Sequence, residues 1–126
     1  MPLSDDPGAL LSRSYQLPTG PRVRLRLARR SDLPGLRMLL AQRGVEATEL
    51  ELNRLVRYDP RQRVVLAACA PLAGAETVVG VGAIDVDADP PKPDTIVVDE
   101  RLTDGLGELL SSTLVQRARI QSRFIA

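Results

Sequence analysis

The chain has 126 residues, of which 44% are hydrophobic and 26% are charged, which predicts one globular domain. Its formal net charge of +1 gives no global field that attracts nucleic acid or an anionic membrane, and we expect neither as a partner. The absence of histidine excludes a catalytic triad with a histidine base and a histidine-ligated metal, so no metal site is predicted.

The cysteine content and the hydropathy pattern bear on the cellular compartment. Cys69 is the only cysteine and lies in the apolar run "VVLAACA", which predicts a buried thiol and excludes a disulfide within the chain. No apolar run approaches the roughly 20 residues that span a bilayer. The first residues lack the basic and uninterrupted apolar regions of a signal peptide. We therefore expect a soluble, cytoplasmic protein.

The N-terminal part of the sequence divides into an arm and the start of a domain. Residues 1–20 contain several prolines and show no sustained periodicity, which predicts a flexible N-terminal arm. The single domain is expected over residues 21–126. It begins with "RVRLRLA", where Val23, Leu25 and Leu27 alternate with arginines as in a strand with one buried face.

Two helices are predicted next. In "RRSDLPGLRMLLAQRG", Ser31 or Asp32 can cap a helix with an apolar leucine stripe, and Gly44 supplies its stop. In "TELE", Thr48 and Glu51 have the spacing of a capping box that opens a second helix.

Three further strands and a last helix follow. The runs "RVVLAACA" and "TVVGVGAIDVDAD" predict an antiparallel strand pair joined by a hairpin at "PLAGAE". Gly80 and Gly82 share one face of the second run, where they leave a groove or allow a bulge. After the loop "DPPKPD", "TIVVD" predicts a fourth strand, and an amphipathic helix completes the chain. The order β-α-α-β-β-β-α predicts an α/β (α+β) fold with a mostly antiparallel four-stranded sheet.

Acidic residues at the end of the longest strand are candidates for a catalytic base. Asp85, Asp87 and Asp89 alternate in sequence and would share one face of an extended strand. Carboxylates crowded together take up protons more readily than isolated ones, which suits general base catalysis. Asp85 and Asp87 are therefore the candidate catalytic residues, although a solvated acidic strand end explains the same pattern.

The stretch "VVDERLTDGLGELLSSTLVQRA" runs from a strand through a glycine pair into a helix. Exposed amides at a helix N-terminus bind anions such as phosphate. An Asp-Gly turn before an apolar helical stripe is also fully explained as a turn and helix start without any ligand. The residues alone leave both interpretations open.

This stretch, together with the element order, "ARRSDLPGL" and "GVGAIDVD", resembles the first half of the GNAT superfamily of acyl-CoA-dependent N-acyltransferases. The resemblance covers about residues 22–122. It implies that acetyl-CoA or another acyl-CoA is the cofactor, with its pyrophosphate on the backbone amides of Thr103, Asp104, Gly105, Leu106 and Gly107. It also implies an amine acceptor between the first two helices, near Glu46, Glu49 and Glu51.

The sequence departs from the family pattern in three ways, the first being Asp104, which puts a carboxylate into the loop close to Asp99, Glu100 and Glu108. Leu102 stands where the family usually has glutamine or arginine, and the chain ends at Ala126, before the family's remaining strands and helix. A truncated GNAT-like sheet would leave Thr95–Val98 as an open edge, so we expect a homodimer through this strand and the C-terminal helix. The expected function is an acetyl-CoA-dependent N-acetyltransferase or acyl-CoA-binding protein. The alternative is a non-catalytic dimerising structural or regulatory module derived from the same fold.

Overall fold

The computed structural model describes residues 13–18, 20–72 and 74–125 of the chain. The described residues form five strands and three α-helices: β1 Arg13–Gln16, β2 Arg22–Leu27, α1 Leu33–Gln42, α2 Glu49–Arg54, β3 Arg63–Leu72, β4 Ala75–Asp85, β5 Thr95–Val98 and α3 Leu106–Ile125. Short 3-10 helices at Arg30–Asp32 and Glu100–Leu102 precede α1 and α3.

The five strands form one sheet in the order β1-β2-β3-β4-β5, and each strand is antiparallel to its neighbours. The mixed α/β fold and the element order from β2 onward confirm the prediction, but the sheet has one strand more than the four predicted. The additional strand, β1, lies within the segment expected to be a flexible arm. It forms because its backbone pairs with β2, with Tyr15 opposite Val23, and because Tyr15 packs against the core. Residues 1–12 of the expected arm lie outside the described residues.

Helices cover both faces of the central strands. Side chains on one face of β3, including Val64 and Leu66, pack with the leucines of α3, whereas Val65 and Ala67 face α1 and α2. This two-sided burial explains why β3 is a continuous apolar run rather than an alternating one, since neither face meets water.

The register of β3 and β4 shifts once, where Ala68 pairs with Gly80 and Cys69 pairs with Val78. Val79 is therefore the extra residue of a β-bulge. A bulge was one of the two alternatives predicted for the strand face that carries Gly80 and Gly82. The other alternative, a groove, is not formed, because leucines of α3 fill the space above Gly80 and Gly82.

Gly82 allows α3 to approach the sheet closely. A Cβ at this position would lie 2.7 Å from Leu114 Cδ1 and 3.0 Å from Ile96 Cδ1, and Leu114 is fully buried. Gly82→Ala is therefore expected to lower the free energy of unfolding by about 1–3 kcal/mol, measured by urea denaturation.

Gly107→Ala is the matched control for this prediction. A Cβ there would meet only Ile96 Cγ2, at 3.8 Å, which is an ordinary contact. Because alanine is also the better helix former by about 1 kcal/mol, this variant should be neutral or more stable. Equal losses in the two variants would contradict the close approach of α3 at Gly82.

Candidate functional site

Asp99 fixes the start of the loop that joins β5 to α3. Its carboxylate accepts a hydrogen bond from the backbone N–H of Arg101 at 2.8 Å, and the Arg101 guanidinium donates to it at 2.8 and 3.0 Å. The Asp99 side chain is only 3% exposed, and the hydrogen bonds from Arg101 lower its pKa from 3.8 to about 2. The charge of Asp99 is thus compensated by Arg101 before the loop begins.

Asp99 should make the stability of the protein depend on pH in the acid range. Because its pKa is lower in the folded protein, Asp99 contributes fully above about pH 5, and its contribution is lost as the pH falls from 4 towards 2. The expected loss is about 2 kcal/mol. Urea unfolding at pH 7, 4 and 2.5 should show a smaller acid loss for Asp99→Asn than for the unchanged protein, and parallel losses would contradict this role.

The five residues implied as a phosphate cradle form a turn and the start of α3. Thr103 and Asp104 are exposed in the turn, Gly105 has φ +89°, and Leu106 and Gly107 begin the helix. The positive φ favours glycine, because a Cβ would collide with the backbone there. The N–H of Leu109 donates to the carbonyl of Gly105 at 3.0 Å. The first N–H groups of an α-helix have no partner within the helix, so this turn presents amide donors.

Two contacts hold the loop in place, one through Leu102 in the core and one with Pro18. Leu102 is buried in the core beside Leu17. This burial explains why Leu102 is apolar, whereas the GNAT superfamily usually has glutamine or arginine at this position. Pro18 packs on Gly105, since a Cβ on that glycine would lie 3.2 Å from Pro18 Cδ. This contact could not be predicted from the sequence, because nothing in the pattern around Pro18 indicates which loop it contacts.

A cleft of about 670 Å³ lies on the α1–α2 side of the sheet, beside β5. Its apolar lining includes Leu40, Leu55 and Val97, and its charged lining residues are Glu46, Glu51, Arg54, Arg57, Asp59, Arg63 and Asp85. Small-molecule sites are usually lined mainly by apolar residues with a few polar groups, whereas seven of the 15 residues that line this cleft are charged.

The structure separates the two candidate catalytic residues. β4 ends at Asp85, and Asp87 is an exposed residue of the following turn, so the expected shared strand face does not form. The N–H of Ala88 donates to the Asp85 carbonyl at 3.2 Å, which turns the chain before the alternation can continue. Asp85 lines the cleft and is bound by Arg63 at 2.8 Å. Arg63 also binds Asp94 with two hydrogen bonds, at 2.6 and 2.8 Å.

The glutamates between the first two helices have different roles. Glu46 and Glu51 line the cleft, whereas Glu49 pairs with Arg37 on α1. The predicted capping box is confirmed: Thr48 Oγ1 accepts from the N–H of Glu51, and the Glu51 carboxylate accepts from the N–H of Thr48, both at 3.1 Å. Glu51 therefore has a structural role at the start of α2.

Tyr58 is a cleft residue to which the sequence analysis gave no role. Its hydroxyl donates to the carbonyl of Ala28 at 2.8 Å and lies 3.2 Å from the carbonyl of Val65. Burial raises the pKa of Tyr58 to about 12. The hydroxyl group is thus directed at the backbone and links the residue after β2 to β3.

The loop follows β5, and the cleft lies along the same strand, where Thr95 and Val97 both line it. Val98 leads into the loop, whereas Thr95 lies beside the cleft and pairs with Ala83 near the end of β4. The three residue steps between them span roughly 10 Å. One edge strand therefore links a turn of amide donors to an ionic cleft.

Within residues 13–18, 20–72 and 74–125, no group of three or more acidic, cysteine or histidine residues could hold a metal ion. In the same part of the chain, no helix is long and apolar enough to cross a membrane.

Comparison with known proteins supports the fold. No model of a known protein family matches the sequence, and no curated protein matches it. Among solved structures, the chain is similar to the crystal structure of the GNAT domain of S. lividans PAT, with a TM-score of 0.70 and 18% identity. The match covers 90% of this chain and 74% of that one. At this identity the similarity concerns the fold alone, and the chain therefore has a GNAT-like fold.

Proposed function

We propose that this protein binds acyl-CoA at the loop of residues 103–107 and transfers the acyl group to an amine held in the cleft. The activity would be that of a GNAT-like, acetyl-CoA-dependent N-acetyltransferase. The observation that carries this proposal is the positive φ of Gly105, which turns the chain into the N-terminus of the 20-residue helix α3.

Four carboxylates lie close to the loop, at Asp99, Glu100, Asp104 and Glu108, and ion pairs reduce the repulsion that two of them exert on an anionic cofactor. Asp99 is bound by Arg101, and Glu100 lies 3.7 Å from Arg43, so two of the nearby carboxylates have cationic partners. The backbone amides of Thr103, Asp104, Gly105, Leu106 and Gly107 would hold the pyrophosphate. When bound, acyl-CoA supplies the activated thioester, and the protein contributes binding, orientation and a base.

Asp85 is the better of the two candidate bases, because it lines the cleft whereas Asp87 does not. Arg63 holds the Asp85 carboxylate in place, where it can accept a proton from an amine that enters the cleft. This role makes Asp85→Asn the informative catalytic variant.

We also propose that the protein is a homodimer through β5 and α3. In the described part of the chain β5 pairs only with β4, and its other edge is open. Ile96 on this strand is 37% exposed, and an open apolar edge strand is a ready site for pairing with another chain. Sedimentation equilibrium of the protein and of Ile96→Glu tests this: the protein should be dimeric and the variant monomeric.

A non-catalytic dimerising module is the second candidate function. It is favoured because two polar side chains of the cleft already bind other groups of the protein. Asp85 is bound by Arg63, and the Tyr58 hydroxyl is directed at backbone carbonyls. Under this alternative the open edge of β5 is retained for assembly, and no acyl transfer occurs. A cytoplasmic location stays a prediction for both candidates.

Titration calorimetry with acetyl-CoA and with pantetheine tests acyl-CoA binding. Acetyl-CoA should bind, and at about 100 times its Kd it should raise the free energy of unfolding by about 2.7 kcal/mol. Pantetheine, which lacks the pyrophosphate, should bind much more weakly. No acetyl-CoA binding at millimolar concentration would contradict the proposal, and binding without thiol release in the presence of amines would favour the non-catalytic module.

A further inference from the structure

Arg54, the last residue of α2, and Arg57, three residues further on, both line the cleft. Among the described residues, neither Arg54 nor Arg57 donates a hydrogen bond to a carboxylate, and Arg54 has only a longer-range attraction to Glu51. The N–H of Arg57 donates to the carbonyl of Asn53 at 2.8 Å, so the helical turn continues through this position. Residues three apart on a helical turn lie on the same side. Both arginines line the cleft, so two cationic side chains lie on this part of its wall.

The acidic residues of the cleft are mostly committed to other groups. Asp59 binds Arg61, Asp85 binds Arg63, and Glu51 caps α2. Glu46 is the exception, since within the described part of the chain it forms no hydrogen bond or ion pair, and it lies on the loop between α1 and α2. The charges left available to a ligand are thus two cations and one anion.

These charges complement a molecule that carries both an acid and an amine. Arginine binds carboxylates through two parallel N–H bonds, and a glutamate attracts an ammonium group. We propose that the cleft binds an amino acid or another amine bearing a carboxylate, with Arg54 and Arg57 on the carboxylate and Glu46 near the ammonium group. This assignment names the acceptor class of the proposed acyltransferase and rests on that function only for the transfer step.

A purely structural role for the arginines makes a different prediction. Cationic side chains near the C-terminus of a helix interact favourably with its dipole; Arg54 is the last residue of α2, and Arg57 lies three residues beyond it. Such a role would affect stability alone and would not make binding depend on the carboxylate of a ligand. Ligand binding measured without cofactor therefore separates the two roles.

The experiment compares amino acids with the amines that remain when their carboxylate is removed. The pairs are L-lysine and cadaverine, L-arginine and agmatine, and L-alanine and ethylamine, each titrated into cofactor-free protein and followed by NMR. At least one amino acid should bind about tenfold or more tightly than its amine. The Arg54→Gln/Arg57→Gln double variant should remove this preference.

Arg13→Gln/Arg22→Gln is the matched control, with the same change of charge at two exposed arginines on β1 and β2. It should retain the preference for amino acids. Equal binding of amines and amino acids, no binding of any member of the panel, or a preference that survives in the cleft variant would each overturn the proposal. Because acetyl-CoA binding is measured separately, none of these outcomes is confused with failure of the cofactor site.

Discussion

Replacing Asp32 with alanine is expected to lower the free energy of unfolding by about 3–5 kcal/mol, because it leaves the charge of Arg26 buried without its partner. The Asp32 carboxylate receives two hydrogen bonds from the Arg26 guanidinium, at 2.6 and 2.7 Å, and one from the N–H of Arg29 at 2.9 Å. The two side chains are only 4% and 13% exposed. Burial opposes ionisation of Asp32, but these hydrogen bonds outweigh it and lower its pKa.

An exposed ion pair of Arg24, which lies on β2 like Arg26, provides the control for this prediction. Arg24 binds Glu76 at 2.7 Å, but its side chain is 42% exposed and that of Glu76 is 53% exposed. Glu76→Ala should therefore change stability by no more than about 1 kcal/mol. In urea denaturation the unfolding midpoint should fall by roughly 2 M for Asp32→Ala and hardly at all for Glu76→Ala. Similar unfolding midpoints for the two variants would contradict the claim that the buried charge of Arg26 depends on Asp32.

Replacing Gly105 with valine is expected to weaken acetyl-CoA binding by roughly tenfold or more, since charge-assisted hydrogen bonds from the turn would be lost. A β-branched residue cannot adopt φ +89° without strain, and its Cβ would also press on Pro18 at 3.2 Å. The turn should then change conformation and move its amides. Calorimetry with acetyl-CoA measures the effect directly.

Gly74→Val controls for the strain itself. Gly74 has φ +80° in the β3–β4 hairpin, and a Cβ there would meet no atom within 4 Å. Both variants should lose about 1–2 kcal/mol of stability from the left-handed conformation. Only Gly105→Val should lose affinity, and equal affinity in the two variants would show that the turn at Gly105 does not hold the cofactor.

Sequence patterns predicted the elements whose residues act locally. The capping box at Thr48 and Glu51, the alternating strand β2 and the edge strand β5 all formed as expected, because each depends on neighbours a few residues away. The fold followed from the order of these elements. The resemblance to the GNAT superfamily agrees with the fold similarity at 18% identity.

Features that depend on tertiary contacts were not predictable in the same way. β1 is short and largely exposed, so it has no apolar alternation to reveal it, and it exists through pairing with β2. Asp87 does not lie on the strand face where it was expected, because β4 ends at Asp85 and the chain turns there. The capping role considered for Asp32 was incomplete: it holds the N-cap position of α1, but its carboxylate binds Arg26 instead of capping the helix through its side chain.

Some features of the candidate site could be predicted from the sequence, and others could not. Gly105 and the start of α3 could be read from the sequence because glycine and helix periodicity are local signals. The packing of Pro18 on the loop, the compensation of Asp99 by Arg101 and the convergence of Arg54 and Arg57 on the cleft could not. These depend on segments far apart in the chain, or on side-chain directions that sequence spacing alone does not fix.

Backbone amide NMR of isotope-labelled protein titrated with acetyl-CoA tests the central claim most directly. If the turn after β5 binds the cofactor, the largest shift changes should fall on the amides of residues 103–107, followed by those of β5, and Gly105→Val should abolish them. Shift changes that avoid residues 103–107, or a spectrum that acetyl-CoA leaves unchanged at millimolar concentration, would contradict the claim.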